Sequence, residues 1–84
     1  MSGPSTTSAT DMHVLVLQRL TRAMGPIAGP EAARQAFAEL GFREVTSATQ
    51  LRTLADHLIR KGGIFEAVGR GLKVTAILRG APPS

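Results

Sequence analysis

The chain has no cysteine, no tryptophan and no tyrosine, and only three phenylalanines in 84 residues. Without cysteine there is neither a disulfide staple nor a thiolate-held zinc. The shortage of aromatics argues against a platform that stacks unpaired bases. Phe37 and Phe42 are assigned to the core, which leaves Phe65 as the one ring expected at the surface. Long apolar runs are also missing. The longest is Val14-Leu15-Val16-Leu17, far short of the roughly 20 residues that span a bilayer. No basic start leads into an apolar stretch with a small-residue cleavage site, so no secretory signal is expected. The expectation is a soluble, cytoplasmic protein with no membrane partner.

Catalytic patterns are lacking as well. The two histidines, His13 and His57, are far apart in the chain. Asp56 beside His57 points about 100° away on a helix, so the two do not face each other. Ser47 is better placed as a helix cap than as a nucleophile. Glu39 and Glu44 straddle a helix end without the logic of paired carboxylates. Neither GxxxxGK[ST] nor GxGxxG occurs, so the glycines near the C-terminus are not a phosphate cradle. No enzyme activity, cofactor, metal site or small-molecule substrate is expected.

What the chain does have is apolar content and a local excess of positive charge. Hydrophobic residues make up 43%. Residues 1–11 are mostly small and polar and are expected to form a disordered tail. Residues 12–80 are expected to form a single small domain, with 81–84 a second short tail. One core of this size supplies only about 3–5 kcal/mol. So rich an apolar content implies that some apolar surface meets a partner, and a homodimer is expected. Residues 1–51 carry four arginines (19, 22, 34, 43) against Asp11, Glu31, Glu39 and Glu44, a net of zero. Residues 52–84 carry Arg52, Arg60, Lys61, Arg70, Lys73 and Arg79 against Asp56 and Glu66, a net of +4. Such asymmetry is what a polyanion binder shows, although many small domains carry it on a merely solvated surface.

The local pattern predicts three helices and a hairpin. The first helix runs from about Met12 to Met24, ended by Gly25-Pro26. Its stripe of Val16, Leu17, Leu20, Ala23 and Met24 is widened by Val14 and Leu15. Val14, Leu15 and Leu17 are therefore the candidate self-association residues. Residues 13–18 alternate, so a strand start there is the competing reading. The second helix has Gly29 at its cap and Pro30 at its first position, and buries Ala32, Ala33, Ala36, Phe37 and Leu40. Gly41 suits a left-handed C-cap, with Phe42 folding back. The third helix starts in a capping box, Ser47 to Gln50, buries Leu51, Leu54, Ala55 and Leu58, and stops at Gly62-Gly63. Beyond it, 64–68 reads as a strand, Gly69-Arg70-Gly71 as a turn and 72–78 as an alternating strand. The fold class expected is α+β, three helices followed by a C-terminal β-hairpin.

In the order of its elements, 29–79 resembles a winged helix-turn-helix domain. That resemblance implies a recognition helix, 47–61, in the major groove of double-stranded DNA. Arg52, Arg60, Lys61, Arg70, Lys73 and Arg79 would then contact phosphate, with Thr49 and Thr53 reading bases and Arg70 at the tip of a Gly-Arg-Gly wing. Two features oppose it. The connection between helices two and three is longer than a simple helix-turn-helix turn, and Asp56 sits in the middle of the DNA-facing side. The rival expectation is a protein-protein interaction or oligomerisation module. It would use the apolar first helix and an exposed C-terminal strand edge, with the basic half meeting an acidic protein partner.

Overall fold

The computed structural model describes residues 4–81, with side chains from Met12 onward. Four helices follow in order: α1 (Pro4–Met24), α2 (Ala28–Leu40), α3 (Ala48–Lys61) and α4 (Gly63–Leu78). No strand occurs among the described residues. The fold is all-α, and the expected α+β class with its C-terminal hairpin is overturned. α1 packs chiefly on α2 and α3 chiefly on α4, while α1 also meets α4 and α2 meets α3.

The helix ends in the middle of the chain follow their punctuation. Gly41 adopts φ 74°. The Gly41 N–H donates to the Ala38 carbonyl (3.2 Å) and the Phe42 N–H to the Phe37 carbonyl (2.8 Å), the bonding of a Schellman cap. Phe42 then packs against the core. Ser47 caps α3, its hydroxyl accepting from the Gln50 N–H at 3.1 Å. Gln50 completes the box one residue early, accepting from the Thr46 N–H and hydroxyl, both at 2.8 Å. The buried set of α3 is Leu51, Leu54, Ala55 and Leu58.

Other boundaries differ. α1 begins at Pro4, not near Met12. The strand alternative for 13–18 is likewise replaced by helix. Met12, Val16 and Leu20 are buried while Val14 and Gln18 between them are exposed, whereas a strand's two-residue alternation would bury all five. α2 starts at Ala28, with Ile27 at its cap, so Gly29 and Pro30 lie within its first turn. Pro30 is tolerated there because first-turn N–H groups have no intrahelical partner. Gly29 is buried, and a Cβ added to it would meet backbone atoms of Thr21 and Leu20. This glycine lets α1 and α2 approach closely and does not cap.

The largest correction is α4. Gly62 and Gly63 do stop α3, both at positive φ (77° and 58°), but the chain reverses directly into another helix. Neither the strands at 64–68 and 72–78 nor the turn at 69–71 exists, and the wing of the winged-helix resemblance is absent. A glycine inside a helix costs about 1 kcal/mol relative to alanine, which favours a turn at 69–71 when the segment is judged alone. Packing on α3 overrides that preference. Gly69 is buried against α3, where a Cβ would fall 2.7 Å from the Ala55 carbonyl oxygen and 3.0 Å from the Ile59 amide nitrogen. Leu72 and Ala76 complete the buried line. The alternation of apolar residues over 72–78 arises because α4 is apolar on two opposite faces, not because it is extended. The C-terminal end closes with a second Schellman pattern. The Gly80 N–H donates to the Ile77 carbonyl and the Ala81 N–H to the Ala76 carbonyl, which tucks Ala81 into the core.

Candidate interaction surface

On the inner side of α4, Phe65, Gly69, Leu72 and Ala76 recur at spacings of four, three and four and meet the rest of the core. On the outer side, Ile64, Ala67, Gly71, Val74 and Leu78 recur at three, four, three and four, the spacing of a coiled-coil seam. Among these, Ile64 is 52% exposed, Val74 58% and Leu78 80%. Ala67 is also exposed. The seam covers about 21 Å of helix at 1.5 Å per residue. A helix apolar on both sides belongs between two partners. This chain supplies one of them, and its bundle leaves the outer seam of α4 open to solvent. Reading the segment as strands hid this seam, although the same 3-4-3-4 spacing stands in the sequence.

Cations border the seam. The Arg19 guanidinium reaches it from α1, with Nη1 3.1 Å from where a Cβ on Gly71 would stand. Arg22 lies one turn further along α1 and is exposed. Arg70 lies on the opposite border and Arg79 follows Leu78 at the exposed end, while Lys73 is turned toward Asp56 of α3. Glu66 is the one carboxylate on α4, bonded to Arg70 (Nε to Oε2, 3.1 Å).

The other expected nucleic-acid residues are placed as follows. Thr49 and Thr53 are exposed on α3, the Thr53 hydroxyl donating to the Thr49 carbonyl at 3.0 Å. Asp56, expected to disturb a DNA-facing side, instead joins two helices. It pairs with Arg52 one turn away (3.5 Å) and with Lys73 of α4 (3.0 Å). Lys61 pairs with Glu39 of α2 (3.0 Å) and lies 5.8 Å from the Phe65 ring centroid. Arg60 is exposed. Thus Arg52, Lys61, Arg70 and Lys73 each face a carboxylate within the fold.

The candidate self-association residues divide. Leu15 and Leu17 are partly buried and pack on the core. Val14, 38% exposed, opens with Leu17, Gln18, Thr21 and Arg22 onto a shallow depression. The apolar surface that α1 presents is thus narrower than its sequence implies, and that of α4 is wider.

A second polar cluster ties α2 to α3. His57 Nε2 lies 2.7 Å from Glu39 Oε1, and Lys61 approaches the same oxygen. The hydrogen bond from His57, then that from Lys61, holds the Glu39 carboxyl below its ordinary value of 4.5. A carboxylate whose folded pKa is depressed contributes stability above its unfolded pKa and loses it as pH falls through the folded value. Melting temperature should therefore drop on acidification below about 4.5 more steeply in the wild type than in Glu39→Gln. The effect should be small beside that of a core substitution, because the pair is solvent-screened. Parallel slopes for the two proteins would show that the cluster contributes nothing.

No helix among the described residues is long and apolar enough to cross a membrane. Comparison with protein-family models, with curated proteins and with solved structures returns no match.

Proposed function

We propose that this chain is a non-enzymatic, cytoplasmic protein-interaction module whose α4 receives an acidic amphipathic helix from another protein. The uncovered seam of Ile64, Ala67, Gly71, Val74 and Leu78 carries the reading. Helix-in-groove recognition uses anchors at this spacing. Gly71 stands at the middle of the seam, and small residues at a crossing point let two helix backbones come close. Larger anchors, Ile64 and Leu78, stand at its ends. The cations Arg19 and Arg79 beside it, neither of them in an ion pair with a described carboxylate, favour glutamate or aspartate beside the partner's apolar residues. A second copy of this chain is the poorer occupant, because it would bring the same cations to the same borders. Duplex DNA, the alternative that the basic residues raise, meets a surface where Arg52, Lys61, Arg70 and Lys73 already pair with carboxylates.

The test is titration with a synthetic helix bearing leucine at the seam positions and glutamate beside them, followed by fluorescence anisotropy. Saturable binding is expected. Val74→Glu, at an exposed site that leaves the fold intact, should weaken it by at least about tenfold, since burying an unpaired carboxylate exceeds the 1.4 kcal/mol of one decade. Arg19→Gln should weaken it less. Equal binding of a lysine-flanked peptide would remove the charge argument. Sedimentation of the free protein as a dimer that Val74→Glu dissociates would assign the seam to a second copy. Tight duplex DNA binding with a steep salt slope, unaffected by Val74→Glu, would overturn the reading in favour of nucleic acid.

A further inference from the structure

A different groove, away from the α4 seam, lies between α1 and α2. It encloses about 240 Å³ and is lined by His13, Leu17, Pro30, Arg34, Phe37 and Arg43. Its apolar wall is Leu17, Pro30 and Phe37. Phe37 is nearly fully buried and is stacked on the His13 ring with centroids 5.1 Å apart. This stack holds one side of the groove in place. The Val45 N–H donates to His13 Nδ1 at 3.4 Å, which leaves Nε2 as the ring N–H, a donor. Three donor side chains, His13, Arg34 and Arg43, thus share a cleft whose lining contains no carboxylate. The nearest opposing charge is Glu31, 3.0 Å from Arg34 Nη1, in a pair with both side chains largely in water. Such a pair is weak and exchangeable. No carboxylate among the described residues pairs with Arg43.

We propose that this groove binds a small apolar monocarboxylate, an aryl or short alkyl acid. Its hydrocarbon body would lie on Leu17, Pro30 and Phe37, and its carboxylate would be held by Arg43 and Arg34. The chemistry follows from what the lining offers: an apolar wall beside an excess of positive charge. Arginine forks match the planar carboxylate in two hydrogen bonds. The volume lies below the roughly 300–1,000 Å³ of drug-sized sites, which selects a small ligand. A ligand of this size in an open groove gains limited affinity, and a dissociation constant of about 0.1–1 mM is expected. This site is independent of the α4 reading, since it shares no residue with the seam.

The experiment is an NMR titration of the full chain with 4-phenylbutyrate, following the backbone amides of Phe37, Arg43 and Val45. Saturable shifts confined to the groove are expected. Arg43→Gln and Arg34→Gln should each weaken binding by about tenfold, as loss of a charge-assisted hydrogen bond does. Both arginines are exposed, so the fold is retained, and circular dichroism verifies it. 4-Phenylbutyramide, the neutral isostere, should bind far more weakly. Equal binding of the amide, or no saturable shift at millimolar acid, overturns the proposal. Tighter binding of a short peptide with a free C-terminal phenylalanine would assign the carboxylate to a chain terminus and overturn the free-acid reading.

Discussion

Replacing Gly29 by alanine is expected to remove about half of the stability of this domain. A Cβ at that position falls 2.4 Å from Thr21 Cα, 2.6 Å from Thr21 N and 2.8 Å from the Leu20 carbonyl carbon. All three are backbone atoms of α1, so no side chain can rotate away and α1 must move relative to α2. The displaced contact includes Leu20 and Ala33, both fully buried. Overpacking of this kind typically costs about 1–3 kcal/mol, occasionally more. The φ of Gly29 is not positive, so alanine also gains up to about 1 kcal/mol of helix propensity. With no soft atom to yield, the clash should prevail, for a net loss of about 2 kcal/mol. Against the roughly 3–5 kcal/mol available to a core of this size, that lowers the melting temperature by about 8–16 °C. A thermal melt followed at 222 nm measures it. An unchanged or raised midpoint would mean that α1 and α2 do not cross at this glycine.

Gly29 also shows where sequence reasoning stops. Its neighbours Pro30 and Glu31 fit a helix start, so capping accounts for Gly-Pro-Glu with no need for a second helix. The contact that requires glycine lies on another element, at Thr21, and no local rule reports it. The C-terminal end of α2 and the start of α3 were legible because they are local. Gly41 with Phe42 and Ser47 with Gln50 satisfy backbone groups within a few residues of themselves. α4 was not legible because its glycines act at a distance. Seen alone, Gly69-Arg70-Gly71 between alternating apolar residues is a good hairpin turn. Its partner is the Ala55–Ile59 turn of α3.

The candidate surface divides in the same way. The positive charge of 52–79 was visible, but its neutralisation depends on tertiary pairs, Lys61 to Glu39 and Lys73 to Asp56. Asp56 counted against a DNA-facing helix when α3 was considered alone. Beside α4 it becomes the acceptor that holds Lys73. Arg19 had no assigned role, because its place beside Gly71 depends on the packing of α1 against α4. The apolar excess of the chain did signal a partner-facing surface. The strand reading of 64–78 led the search to Val14, Leu15 and Leu17 on α1, and away from the outer face of α4.

Alanine substitutions at Gly69 and Gly71 should change stability in opposite directions. At Gly69 the new methyl enters the Ala55–Ile59 turn of α3, 2.7 Å from a carbonyl oxygen and 3.0 Å from an amide nitrogen. Forcing α4 away from α3 disturbs Leu58 and Leu72, both fully buried. An overpacking penalty of about 1–3 kcal/mol, less about 1 kcal/mol of propensity, leaves a net loss of about 1–2 kcal/mol. At Gly71 the sole close atom is Arg19 Nη1 at 3.1 Å, the far end of a flexible side chain that can shift into solvent. Alanine there keeps the helical backbone and reduces the freedom of the unfolded chain, a gain of about 0.4–1 kcal/mol. Urea denaturation of the two variants should therefore bracket the wild type, with midpoints on either side and an unchanged slope. The outcome also separates the two architectures of this segment. In a hairpin both glycines occupy turn positions that favour positive φ, and alanine would destabilise at each. Loss at both positions would restore the turn, whereas loss at Gly69 with gain at Gly71 requires a helix whose one side is pressed against α3 and whose other side is open.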